Sequence, residues 1–456
     1  MEGGGGGGGR GALGNNNINL AQKRNGFSPI FLQKLKERLF GFFNKVKSIG
    51  RDDPRRIAHS FKVGLALTLV SMFYYITPLF DGFGVSAMWA VLTVVVVMEY
   101  TVGGTLNKGL NRAFATLIAG SLGIGAHQVA ILCGGRGEPI LLTLFVFLLA
   151  TAATFSRFIP EIKARYDYGV MIFILTFSFV AVSSFRVDEL MQLARQRVST
   201  IAVGVATCLC TSIFVFPVWA GDDLHKLVAN NLENLASFLE GLEVECFGEK
   251  ARCENLEDKS FLQVYKSILN SMGTEDSLCN FAKWEPGHGQ FGFRHPWEQY
   301  QNLGGLTRQC ASSMDALTSY ITAVPKSQWT ASNSELRLKI QSACMEMSSE
   351  SAKALKELAS AIRTTTAPSS ADRHVSEALL AAANLRSALL DDVAPREVIS
   401  AAMVASLLAE LVVRTKEIAD SVEELARLGR FKNTEPAQKT VAKPGNDGEV
   451  VISIVD

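Results

Sequence analysis

The chain has 456 residues, 48% of them hydrophobic, with 45 Lys and Arg against 44 Asp and Glu for a formal net charge of +1. That balance leaves no basic excess to argue for nucleic acid. The eight cysteines are scattered without a C-x-x-C, which excludes zinc spacing of that type and reads as reduced thiols. Near-neutrality hides two unlike halves. Residues 61–219 are strongly apolar and residues 220–456 are rich in Lys, Arg, Asp and Glu, so composition predicts a membrane domain followed by a soluble one.

Residues 1–27 hold seven consecutive glycines, Gly3 to Gly9, and the run Asn15 to Asn17. They predict a flexible, solvated tail and no signal peptide, so insertion falls to the first transmembrane helix. Residues 28–60 form an amphipathic basic segment. Phe31, Leu35, Leu39 and Phe42 recur at helical spacing among Lys and Arg, the pattern of a helix lying on an anionic membrane surface. The competing reading docks that helix on the protein's own cytosolic domain.

Six apolar stretches follow within residues 61–219, at about 61–79, 85–100, 112–133, 140–156, 167–185 and 197–219. A crossing needs about 20 residues, so the second and fourth must borrow flanking positions or sit in thinner or protein-lined regions. Orientation comes from Lys and Arg. Lys45, Lys47, Arg51, Arg55, Arg56 and Lys62 precede the first span, Lys108 follows the second, and Arg157, Lys163 and Arg165 follow the fourth. The opposite loops hold only Arg136, Arg186 and Arg195. Both termini are therefore expected in the cytosol.

Two arginines fall inside apolar spans. The third span opens Asn111-Arg112-Ala113-Phe114-Ala115-Thr116 and the sixth Gln196-Arg197-Val198-Ser199-Thr200. A cation in hydrocarbon costs roughly 2.5–3.5 kcal/mol and is tolerated where it meets water or a counter-charge. The pair points to a membrane pathway for anions, with Lys108 and Trp89 counted as further lining. Spans 1–3 and 4–6 read as a 3+3 inverted repeat, which would bring both arginines to comparable depth. Against this stands a plain role as interfacial anchors that snorkel to headgroups. His127 reads as a helix–helix hydrogen-bonder and Glu99 as an ion-pair partner of Lys108.

Residues 220–432 read as a cytosolic helical bundle, with helices at about 223–246, 256–282, 297–323, 334–364, 372–391 and 396–429. The polar tail 433–456 is expected to be disordered. No P-loop and no H-E-x-x-H occur, so no enzyme motif, cofactor or firm metal site is implied. The loop from Trp284 to Trp297 packs aromatics between Gly and Pro. Its Trp284, Glu285 and His288 read as a structural junction, with a regulatory ligand site as the alternative. The fold class expected is an all-α membrane protein: six transmembrane helices, then the bundle.

Several ordered blocks carry a family resemblance: Asp53-Pro54-Arg55-Arg56, Lys62-Val63-Gly64-Leu65-Ala66, Met88-Trp89-Ala90-Val91-Leu92-Thr93, Lys108-Gly109-Leu110-Asn111-Arg112, Tyr166-Asp167-Tyr168-Gly169, Pro217-Val218-Trp219-Ala220-Gly221 and Trp284-Glu285-Pro286. Over about residues 50–432 the chain resembles the plant aluminium-activated malate transporters, which are anion channels. The resemblance implies a homodimer of six-span subunits in a lipid bilayer, conducting malate and other anions, with pore arginines at positions matching Arg112 and Arg197. The plasma membrane and the vacuolar membrane are both used in the family, and the plasma membrane is the favoured location here. Members activated by external aluminium use acidic outer-loop residues. The matching positions are Asp81 and Asp188, with Glu189 nearby, but the third is Gln192. One missing carboxylate weakens a site for a hard trivalent cation, so little activation by aluminium is expected. The rival functions are a proton-coupled organic or aromatic acid carrier and a membrane-anchored scaffold.

Overall fold

Helices account for every regular element in the computed structural model, which describes residues 29–76, 88–184, 190–247, 260–292, 294–323, 335–391 and 399–432. No strand occurs among them; isolated bridges join His288 to Phe291 and Thr366 to Lys432. The chain forms two units, Met1–Thr68 and Leu69–Asp456.

The first unit holds α1 (Pro29–Asp52) and the opening turns of α2 (Pro54–Tyr75). Asp53 separates them and caps α2, its Oδ1 accepting from Arg55 N at 3.1 Å.

The second unit opens on a membrane-type half: α3 (Met88–Val97), α4 (Val102–Ile131), α5 (Gly134–Ser156), α6 (Pro160–Ser184) and α7 (Leu190–Phe214). Four of these, α4 to α7, are long and apolar enough to cross a membrane. Their exposed side chains include Phe114, Ile118, Phe147, Leu148, Phe155, Leu175 and Val182, the surface expected of helices bathed in lipid. The first two predicted spans differ. In α2, His59 and Lys62 interrupt the apolar run. α3 has ten residues, about 15 Å of rise and half the hydrocarbon thickness. The third predicted span begins earlier than expected: α4 starts at Val102, where Thr101 Oγ1 accepts from Gly104 N at 3.1 Å. α6 starts on Pro160, whose fixed φ suits a first helical position.

Close helix approaches fix the register. A Cβ on Gly123 would lie 2.7 Å from Val180 Cγ1, and one on Gly169 3.4 Å from Asn111 Cβ. Asn111 thus faces Gly169 and Gly123 faces Val180, so α4 and α6 run parallel. α7 runs the other way. Its Val205 meets Gly109 near the start of α4, while Arg197, eight residues earlier, reaches Phe179 near the end of α6. His127 on α4 lies 3.4 Å from Glu138 Oε1 on α5, without hydrogen-bond geometry.

The second half is a bundle of α8 (Ala220–Leu242), the short α9 (Val264–Leu269), α10 (Met272–Ala282), α11 (Trp297–Ala323), α12 (Glu335–Thr364), α13 (Ala371–Asp391) and α14 (Ile399–Gly429). These bounds match the sequence expectation within a few residues, except that the expected 256–282 helix is split. One continuous core runs through it, including Leu224, Leu232, Phe238, Tyr300, Met314, Leu358, Leu411 and Val422. Within that core His225 Nδ1 and His295 Nε2 lie 2.8 and 3.3 Å from the Tyr300 hydroxyl. The hydroxyl donates to one ring and accepts from the other. Burial pushes His225 down and His295 to about 4.

This arrangement has a pH consequence. The unfolded chain binds protons at these imidazoles near pH 6.5, whereas the folded chain resists them to about 4 at His295. Stability is therefore full above the unfolded value and falls as pH drops through that window. For His295, discounted for partial exposure, the loss between pH 7 and 5 is about 1 kcal/mol. Thermal unfolding followed by circular dichroism should show it, and His295→Phe should flatten the slope. An unchanged melting profile in wild type would refute the assignment.

Candidate functional site

Arg112 and Arg197 are both buried, 4% and 9% exposed. Among the described residues neither has a carboxylate at ion-pair distance, and the Nε of each has no hydrogen-bond partner. Their surroundings are aromatic. Arg112 Nη1 donates to Tyr168 Oη at 3.3 Å. The Arg197 guanidinium lies 3.6 Å from the centre of the Phe179 ring and 4.5 Å from that of Trp89. Trp89 and Phe179 meet edge to face at 5.9 Å. Ring quadrupoles hold the Arg197 cation without neutralising it, and the Tyr168 hydroxyl brings no charge to Arg112, so both charges remain available to an anion.

Lys108 behaves differently. It forms an ion pair with Glu99 and lies 5.7 Å from the Tyr168 ring centre. Its charge is offset before any ligand arrives. The arginines also occupy separate levels. Their aromatic partners on α6, Tyr168 and Phe179, are eleven residues apart (179 − 168), about 16 Å of helical rise. Comparable depth was expected from the sequence. The register begins the separation, since Val205 opposite Gly109 sets Arg197 about five residues beyond Arg112 along α4, and the lean of side chains toward their helix N-terminus widens it on antiparallel α4 and α7.

The loop residues Trp284, Glu285 and His288 lie where the two halves of the unit meet. Glu285 is 8% exposed. Its Oε1 accepts from Gly103 N at 3.1 Å and Ala220 N at 2.6 Å, and its Oε2 accepts from Gly221 N at 3.0 Å. One carboxylate thus satisfies orphan N–H groups at the first turns of both α4 and α8, where the helix dipoles favour a negative charge. Burial raises the Glu285 carboxyl, while these N–H donors and His288 oppose the rise.

Glycine is required at both contacts. A Cβ on Gly103 would lie 2.3 Å from Phe281 O, and one on Gly221 2.5 Å from the Trp297 ring. His288 stacks on Trp219 at 3.9 Å, and its Nδ1 donates to Pro286 O at 3.0 Å. Arg165 of α6 lies 5.6 Å from the Trp284 ring centre, and Asn280 Nδ2 donates to Ala164 O at 2.7 Å.

Asp81, Asp188 and Glu189, the candidate external cation site, lie outside the described residues. Glu350, His374 and Glu377 are close enough to share a metal. They are partly exposed, and Lys353 already donates to Glu350 at 2.7 Å, which favours an ion-pair network linking α12 to α13. Sequence reasoning missed Tyr168 and Phe179, since an aromatic in an apolar helix reads as core. It also missed Glu275, 1% exposed, which accepts from Ser271 and Asn231 and pairs with Arg308.

A family model described as aluminium activated malate transporter matches residues 47–396. Aluminum-activated malate transporter 1 of Triticum aestivum is 59% identical over 421 residues, covering 91% of this chain and 92% of the relative. Aluminum-activated malate transporters 2 and 1 of Arabidopsis thaliana are 50% and 48% identical, over 86% and 84% of this chain and 79% of each relative. With a match over most of its length and relatives this similar, the chain belongs to the aluminium-activated malate transporter family, a family of transporters and not of enzymes.

Proposed function

We propose that the protein is an anion channel that passes malate and other anions across a plant membrane, along a path edged by Arg112 and Arg197. The observation that carries this reading is two buried guanidinium groups, without carboxylate partners among the described residues, in helices apolar enough to cross a bilayer. A guanidinium keeps its charge at every cellular pH. An uncompensated one at membrane depth asks for water or an anion. Rings of basic side chains suit anion pores, and the names of the relatives supply malate.

Two levels about 16 Å apart suit stepwise passage, since conduction needs sites that bind weakly and in series. In this reading α2 and α3, with their flanking residues, complete six crossings. Two subunits pair, both termini and the bundle lie in the cytosol, and the plasma membrane is the favoured location. The antiparallel run of α4 and α7 accords with spans three and six as counterparts in an inverted repeat.

Reversal potentials test the reading. Under voltage clamp, the current should reverse where the malate gradient dictates and stay there when the proton gradient is changed. A reversal potential that moves with external pH at fixed malate would instead establish a proton-coupled carrier.

A further inference from the structure

Among the described residues nothing covers the apolar face of helix α1. Leu39, Phe42, Phe43, Val46 and Ile49 are 40–65% exposed, and every described side chain from Gln33 to Ile49 is exposed. At 100° per residue, Leu39, Phe42, Phe43, Val46 and Ile49 fall within a sector of about 120°. Lys36 and Lys47 border that sector on one side, Arg38 and Lys45 on the other. Glu37, Asn44 and Ser48 lie opposite. None of the four bordering cations forms an ion pair among the described residues. Four free cations collaring five apolar side chains are complementary to a surface that is oily below and anionic above.

We infer that α1 lies in the headgroup region of an anionic bilayer leaflet. Leu39, Phe42, Phe43, Val46 and Ile49 enter the acyl boundary, and Lys36, Arg38, Lys45 and Lys47 meet lipid phosphates and carboxylates. Two further observations favour lipid over another occupant. A single residue, Asp53, separates α1 from α2, which in the channel reading enters the membrane, so the helix is delivered to the interface. The basic collar would also repel the like collar of a second copy. The inference rests on the chain being embedded in a bilayer, not on what it conducts.

The test uses the full-length protein in lipid nanodiscs of phosphatidylcholine alone or with about 30% phosphatidylserine. Lipid carrying a photoactivatable acyl chain reports contact by mass spectrometry, and hydrogen exchange reports protection of α1. Each cation is worth about fivefold in partitioning to an anionic surface. Phosphatidylserine should therefore raise acyl labelling of Leu39–Ile49 and slow their exchange. Lys36→Glu with Lys47→Glu, which leaves the apolar face intact, should reverse both by about tenfold or more.

Labelling of α4 and α6 serves as the folding control and should not change. Two results would overturn the inference. One is α1 free of acyl label in both discs, above all with protein cross-links from Phe42 to the bundle or to a second copy. The other is label indifferent both to phosphatidylserine and to the charge reversal.

Discussion

Replacing Arg112 or Arg197 by alanine is expected to lower malate current at least tenfold at equal surface abundance. A unit charge about 4 Å from an anion contributes about 4 kcal/mol at an effective dielectric of 20. Water in a conducting path weakens this, yet about 1.4 kcal/mol of added barrier is already a tenfold slowing. Among the described residues neither side chain is half of an ion pair, so its removal strands no buried carboxylate there, and the fold should persist. Arg197→Lys keeps the charge but loses the planar stack on Phe179 and Trp89, so it should retain more current than alanine. Because the two levels are separate, each single substitution should impair permeation by itself. Wild-type current in both alanine variants at matched surface protein would remove the pathway assignment.

The second large effect is expected at Glu285. Glu285→Gln retains the shape but points an amide NH2 at N–H groups that now meet an anion. Hydrogen bonds to charged groups contribute about 1.5–3 kcal/mol each, and three are involved. A loss of at least about 3 kcal/mol in holding α4 to α8 follows, read as a lower melting temperature and a collapse of current. Glu285→Ala should be at least as severe. A variant with unchanged melting and unchanged current would show that the three contacts do not couple the two halves.

The arginine pair was legible because a cation in an apolar run conflicts with its solvent, and that conflict is visible in one dimension. The bundle helices were legible for the complementary reason: their apolar periodicity faces one continuous core. Glu285 stood out as part of a motif, but its role did not, because its partners are 182, 65 and 64 residues away and backbone N–H groups carry no sequence signature. The start of α4 was missed for a similar reason. Gly103, Gly104, Asn107 and Lys108 read as loop residues. In the fold Thr101 caps this turn, and Gly103 is small because the Phe281 carbonyl passes over it. The level of each guanidinium was likewise hidden, since it depends on the register at which α4, α6 and α7 meet.

The carboxylate of Glu285 makes α4 a lever. Its fulcrum is the Gly103 N–H, and Arg112 sits nine residues further along the same helix (112 − 103), about 13 Å by helical rise. A tilt of about 10° at the fulcrum swings that position by about 2 Å, the difference between a guanidinium touching an anion and one separated from it by part of a water. In the channel reading, torque applied to the bundle would change the bore at Arg112 without breaking a bond in the path itself.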